Sequence, residues 1–365
     1  MKELVTFYNG NIHNRETKRP MINSTCFKCS ENWNYSSKTE YTLINILVNG
    51  GKYDTYVLKN NATGKISKCK KIAIRLTVSI TDWSEKITAA ISDNAGNIDF
   101  QELRTQLESS GINTITTALE WYDEMISGNI ESAHKLIAYM ICDDFTGKMA
   151  GMAGISTSVK LNILCKLNQA CSGSVCEHCY AEKMRKSVAY KLALNTYVLC
   201  THKFTLDEIP FLNYAFFRYE SFSDLLNDTQ VSNYINISLK NPHVKTALWT
   251  KRPGLLYAVL VNTFSGIKPE NLSIVYSSKY LNVIDDIREN YILNDGSYMI
   301  DHIFTVWNAE IAFEKNIPVQ CGTSVCIQCH CCYDSKTVYV NEILKAEIDI
   351  YTELLKGNKN NAVLH

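Results

Sequence analysis

The chain has 365 residues, of which 46% are hydrophobic and 20% charged, the balance of an ordinary globular protein with room for two or three domains. Its 37 Lys and Arg offset 37 Asp and Glu, so the total offers no basic surplus for gripping nucleic acid through phosphates alone. No apolar run approaches the ~20 residues that span a bilayer, and Met1-Lys2-Glu3-Leu4-Val5 lacks the layout of a secretory signal. A cytoplasmic protein without membrane partners is the expectation.

Residues 1–140 read as a separate α+β module of unknown role. Residues 42–48 and 71–81 are rich in β-branched side chains and predict strands, with Asn49-Gly50-Gly51 as a turn. Residues 100–108 and 116–126 carry helical spacing and good helix formers. Cys26-Phe-Lys-Cys29 is half of a zinc knuckle with no second pair nearby, which reads best as two free thiols on a turn.

Residues 141–335 change character. A helical run over 182–198 is followed by short apolar stretches at 214–219, 244–249, 272–276 and 302–306, separated by helix-like segments. That alternation is the mark of βα units around a parallel sheet, and the fold class expected is α/β. About 195 residues fall short of the ~250 of a complete eight-stranded barrel, so a partial TIM-type barrel is predicted. Residues 336–365 are expected to close the chain with an amphipathic helix over 341–356 and a polar tail.

Fourteen cysteines are many for such a chain, and they cluster. In a reducing compartment clustered thiols read first as ligands for zinc or iron–sulfur. The first triplet is Cys171-Ser-Gly-Ser-Val-Cys176-Glu-His-Cys179, and the second is Cys321-Gly-Thr-Ser-Val-Cys326-Ile-Gln-Cys329, followed by His330, Cys331 and Cys332. Both are C-x4-C-x2-C, and both set Ser-Val before the second cysteine; chance rarely repeats that. Small residues let backbone N–H groups turn toward the sulfurs. Three thiolates on a [4Fe–4S] cluster leave one iron open for chemistry, which suits Cys171, Cys176 and Cys179. Cys321, Cys326, Cys329 and Cys332 can close a four-thiolate shell around a second iron–sulfur cluster or a zinc ion. The same spacing occurs in plant-type [2Fe–2S] ferredoxins, for which Cys165, Cys200 or a remoter thiol would complete the first site.

From Lys148 to Cys332 the sequence resembles a group of phage-associated proteins, the gene product 88 family. The resemblance rests on Lys148-Met-Ala-Gly-Met-Ala-Gly-Ile-Ser156, Gly173-Ser-Val-Cys-Glu-His-Cys-Tyr-Ala-Glu-Lys183, Phe217-Arg-Tyr-Glu-Ser-Phe-Ser-Asp224, Thr250-Lys-Arg-Pro253 and the terminal cysteines. It covers about half the chain. That family is distantly similar to radical S-adenosylmethionine enzymes such as spore photoproduct lyase. The resemblance implies a partial barrel with the three-cysteine loop after its first strand. It implies a [4Fe–4S] cluster whose open iron chelates S-adenosylmethionine, reductive release of a 5′-deoxyadenosyl radical, and an electron donor such as flavodoxin or ferredoxin. By analogy with the lyase the substrate is nucleic acid or a nucleotide. The chain departs from the usual C-x3-C-x2-C by one residue and has no Gly-Gly-Glu segment. A non-enzymatic reading stands beside it, in which metal merely staples an interaction protein of a phage or mobile element.

Arg218, Glu220, Ser221 and Asp224 follow one strand-like stretch, where polar residues of a parallel barrel face the active-site mouth. Glu220 and Ser221 suit the cofactor's amino or ribose groups, while Asp224 also suits a helix cap. Lys251 and Arg252 end the next stretch and suit a carboxylate or phosphate. Pro253 fits a first helical turn. His302 reads as a core histidine.

Overall fold

A computed structural model describes residues 6–8, 40–47, 55–60, 66–69, 98–171, 173–183, 186–322, 324–333 and 337–362. Cys26 and Cys29, the Asn49-Gly50-Gly51 turn and the strand expected at 71–81 lie outside these residues. By compactness the chain divides into two units that interrupt one another in sequence: residues 1–119 with 158–201, and residues 120–157 with 202–365.

In the first unit β1 (Thr6–Tyr8), β2 (Glu40–Leu47), β3 (Thr55–Asn60) and β4 (Ile66–Cys69) form an antiparallel sheet in sequence order. Helix α1 spans Phe100–Glu108, as the spacing predicts, and Asp99 caps it by accepting from the Glu102 N–H at 3.0 Å. α2 (Asn113–Ile126) runs across the division between the units, and α3 (Ile130–Met140) belongs to the second. In the first unit α4 (Ile163–Ala170) is capped by Asn162, whose side chain accepts from the Cys165 N–H. α5 (Lys186–Thr201) packs on α1, with the Phe100 and Tyr197 rings 6.5 Å apart. It starts four residues later than the helical run predicts, behind a 3-10 turn at Tyr180–Lys183.

The second unit is built on a six-stranded parallel sheet: β5 (Ala153–Ile155), β6 (Phe216–Tyr219), β7 (Lys245–Thr250), β8 (Leu272–Ser277), β9 (His302–Trp307) and β10 (Tyr339–Ile343). Each strand pairs with the next in sequence, so the chain steps across the sheet in one direction. The expected βα alternation is thus present, with α6 (Asp228–Lys240) after β6 and α7 (Pro253–Phe264) after β7. α8 (Ala309–Glu314) follows β9, α9 (Cys326–Cys329) carries the terminal cysteines, and α10 (Ile348–Ala362) ends the described chain. Four of the six strands are the apolar stretches read from the sequence.

The closing helix needs correction. Asn341 and Glu342 lie in strand β10, and the helix begins only at Ile348. Inserting Asn and Glu into a strand hides it from propensity, because β10 is chosen by pairing with β9 rather than by composition. β5 escapes the same way: Ala and Gly are poor strand formers. Its Gly154 is required by close approach, since a Cβ there would meet the Arg218 carbonyl oxygen at 2.3 Å.

Alternation along the strands gives the sheet two faces. Phe217 and Tyr219 are fully buried toward α6, where Tyr219 stacks on Tyr234 at 4.6 Å and shares a hydrogen bond with Ser238. Each such apolar side chain contributes ~1.5–3 kcal/mol of burial. The opposite face carries Arg218, Trp249, Phe304, Val340 and Glu342, which the strand registers place side by side.

Candidate metal centre

The five terminal cysteines lie against that second face. Cys321, Cys326, Cys329, Cys331 and Cys332 line one small cavity, partly open to solvent, with Lys148, Arg218, Trp249 and Val340. Local sequence explains the placement. Gly322 takes φ +96° at the turn after Cys321, whose N–H donates to Asn341 O at 3.0 Å and so anchors the loop to β10. α9 is a single turn, stopped when His330 adopts φ 57° and donates its N–H to Cys326 O at 3.1 Å. His330 then stacks on Phe216 of β6, and Tyr333 meets the same ring edge-on. The cysteines are held between β6 and β10.

Lys148 and Arg218 line the cavity with these thiols, and Lys345 lies within electrostatic reach of Cys321. The Lys148 ammonium donates to Cys321 Sγ at 3.3 Å and pairs with Glu342. Burial opposes its charge, but Cys321 and Glu342 outweigh that and keep Lys148 protonated beyond the ordinary lysine range. The Arg218 guanidinium lies 4.0 Å over the Trp249 ring, with one amine 3.8 Å from Met149 sulfur. Its buried Nε has no hydrogen-bond partner among the described residues.

The thiols respond to both burial and one another. Burial pushes Cys321 up to about 11, Glu342 adds to it, and Lys148 opposes. Cys326 is raised by burial while Arg218 and Lys148 pull it down. Cys332 is raised furthest, by burial and then by Cys321, Cys326 and Cys329. Cys332 thus lies within electrostatic reach of Cys321, Cys326 and Cys329. Among the described residues, no three His, Cys, Asp or Glu side chains close around a single point as a metal site.

The donor set fits a thiolate-held metal centre. Four thiolates binding Zn²⁺ or a [4Fe–4S]²⁺ core leave a net charge of about −2, which Arg218 and, less the share taken by Glu342, Lys148 would offset in part. An unpartnered buried N–H costs ~1–3 kcal/mol, and an anionic sulfur in the cavity would relieve it.

The first triplet lies in the other unit and is built differently. Cys171 is buried at the C-terminal cap of α4, Gly173 turns the chain at φ +78°, and Val175–His178 form a 3-10 turn. Ser174 Oγ accepts from the Cys176 N–H at 3.1 Å, and Glu177 accepts from the Gly173 N–H at 3.0 Å. Cys176 and Cys179 are half-buried. The loop follows β5, the first strand of the parallel sheet, with α4 in between.

The other predicted residues gather at the C-terminal ends of the strands, where parallel sheets place their sites. Glu220, just after β6, has φ 56°, which breaks the alternation and turns its carboxylate to α6. There it is fully buried and accepts from Thr157 N and Oγ1, Gln230 Nε2 at 2.7 Å and the Tyr234 hydroxyl. Burial pushes it up to about 8 against these donors. Ser221 donates its N–H to Ser156 Oγ at 2.8 Å. Asp224 accepts from Thr250 Oγ1 at 2.6 Å and from the Lys251 N–H at 2.9 Å, tying β6 to β7. The Lys251 ammonium reaches Ser277 at the end of β8. Arg252 donates to the Leu225 and Leu226 carbonyls at 2.9 and 3.0 Å, a bracing role between loops. His302 is fully buried in β9.

Sequence reasoning did not single out Lys148, Trp249 or Glu342 for the cysteine site. The available signals were a lone lysine in the glycine- and methionine-rich stretch 147–154 and a lone carboxylate inside an apolar strand. Compared with family models, curated proteins and solved structures, the chain matches none of them.

Proposed function

We propose that this chain is an iron–sulfur protein in which Cys321, Cys326, Cys329 and Cys332 hold a [4Fe–4S] cluster against the inner face of a partial βα barrel. The observation that carries the reading is the single cavity in which these thiols meet Lys148 and Arg218. Barrel curvature is supported by Lys148, which precedes edge strand β5 yet pairs with Glu342 of edge strand β10. On a flat sheet five strand spacings would separate those edges by about 24 Å. Trp249 and Phe304, from β7 and β9, meet at 4.5 Å across the same face, in keeping with a concave surface.

The three-thiolate loop at Cys171, Cys176 and Cys179 is proposed as a second [4Fe–4S] site with an open iron, of the radical S-adenosylmethionine type. Its support is the sequence resemblance and the position after β5. A reduced cluster there would supply the electron for cleaving the sulfonium; the chain's share is to bind, orient and exclude water. Nucleic acid or a nucleotide as substrate, and a flavodoxin or ferredoxin as donor, belong to the same proposal. Of the cofactor contacts expected from the sequence, the Glu220 carboxylate, the Lys251 ammonium and the Arg252 guanidinium are engaged within the fold.

Anaerobic reconstitution with iron and sulfide tests the reading: a brown chromophore that bleaches with dithionite is expected. With S-adenosylmethionine present, its dithionite-dependent cleavage would support the enzyme. Stoichiometric zinc with no iron would overturn the iron–sulfur assignment and leave the metal-stapled interaction protein.

A further inference from the structure

We infer that Arg218 and Lys148 make the terminal cysteine centre a one-electron relay, by holding its reduction potential up, rather than an inert staple. The inference rests on the iron–sulfur reading above and deepens it. A closed four-thiolate centre has no open iron for substrate, so electron transfer is the chemistry left to it. An added electron makes an already anionic centre more negative, and nearby cations and N–H···S hydrogen bonds lower that cost.

The cavity supplies both. Lys148 already donates to Cys321 sulfur at 3.3 Å. Arg218 is fixed over Trp249 at 4.0 Å, and its buried Nε–H has no hydrogen-bond partner among the described residues in a cavity walled by sulfur. Glu342 pairs with Lys148 and offsets part of its charge, so Arg218 is expected to carry the larger share. In the step, a cluster held there would take up one electron from a low-potential donor and pass it to an acceptor of higher potential, with no bond formed or broken and both cations keeping their protons. Arg218 and Lys148 are positioning residues; neither touches substrate.

The experiment is a redox titration followed by electron paramagnetic resonance on the full chain, in a Cys176→Ala background that removes the first loop's signal. Arg218→Gln should make reduction about tenfold less favourable, a shift of ~59 mV to more negative potential for one electron. Lys148→Gln should shift it the same way by less, and Arg218→Lys should stay near the parent. An intact cluster titrating at the parent potential in Arg218→Gln overturns the inference and leaves the iron–sulfur reading standing. Failure of both glutamine variants to load iron also overturns it, because the cations would then serve assembly. Zinc in place of iron in the parent overturns the reading itself.

Discussion

The two cysteine loops share their spacing and their Ser-Val pair but not their construction. The first is knit by its own atoms: Ser174 caps Cys176, and Glu177 reaches back to Gly173. The second is held from outside, by β10 at Cys321, by Phe216 at His330 and by Lys148 at a sulfur. Identical spacing therefore fixes how far apart thiols can stand along the chain, while charge, solvent access and rigidity come from what surrounds them. The second loop has surroundings suited to an anionic, closed centre; the first has an accessible pair of thiols beside a buried one.

Replacing single thiols should separate the loops most strongly. Cys332→Ala should abolish metal at the second loop and leave the first loaded, whereas Cys176→Ala should do the reverse. Cys331→Ala should spare both, since Cys321, Cys326, Cys329 and Cys332 are the four thiols proposed for the shell. Metal analysis of each variant reads the outcome directly, and loss of both centres in either variant would break the separation.

Gly154→Ala should follow in size. Its new Cβ would press on the Arg218 carbonyl at 2.3 Å, with backbone on both sides and nothing flexible to yield. Overpacking of this kind costs ~1–3 kcal/mol, and the upper end is expected here, read as a lower urea midpoint. Because Arg218 walls the second cavity, the variant should also weaken metal at the second loop while leaving the first at parental affinity.

These contrasts also show what was legible in the chain. The four apolar strands of the parallel sheet could be read because burial on both faces leaves continuous apolar runs. β5 and β10 could not, because Ala153-Gly154-Ile155 and Tyr339-Val-Asn-Glu-Ile343 are strands through pairing and close approach rather than propensity. The thiols announced themselves by spacing. Their cations did not, since Lys148 and Arg218 reach the site from segments 173 residues before Cys321 and from the middle of a strand. Glu220 was visible as a polar residue after a strand, but its left-handed backbone, which turns it into the fold, has no signature in sequence.

Glu220→Gln probes the scaffold under the second loop. The Glu220 carboxyl is raised from 4.5 to about 8, so the folded state holds its proton more tightly than the unfolded chain. Its contribution to stability is fully present below about pH 4.5 and lost as pH rises through about 8. Urea midpoints should therefore fall across that window in the parent and fall less in Glu220→Gln. An unchanged slope would remove Glu220 from this role.

Ser174→Ala should have the smallest effect. It removes the acceptor for the Cys176 N–H, a capping interaction worth ~1 kcal/mol, and should weaken metal at the first loop a few-fold with no change at the second. Competition with a chelator, loop by loop in the single-thiol variants, would resolve it.

The central claim is that thiolate-held iron, rather than zinc, occupies the cavity beside Lys148 and Arg218. Iron, acid-labile sulfide and zinc should be counted in anaerobically prepared Cys176→Ala protein, where only the second loop can load. The account predicts about four irons and four sulfides per chain with negligible zinc. One zinc per chain with no sulfide would contradict it.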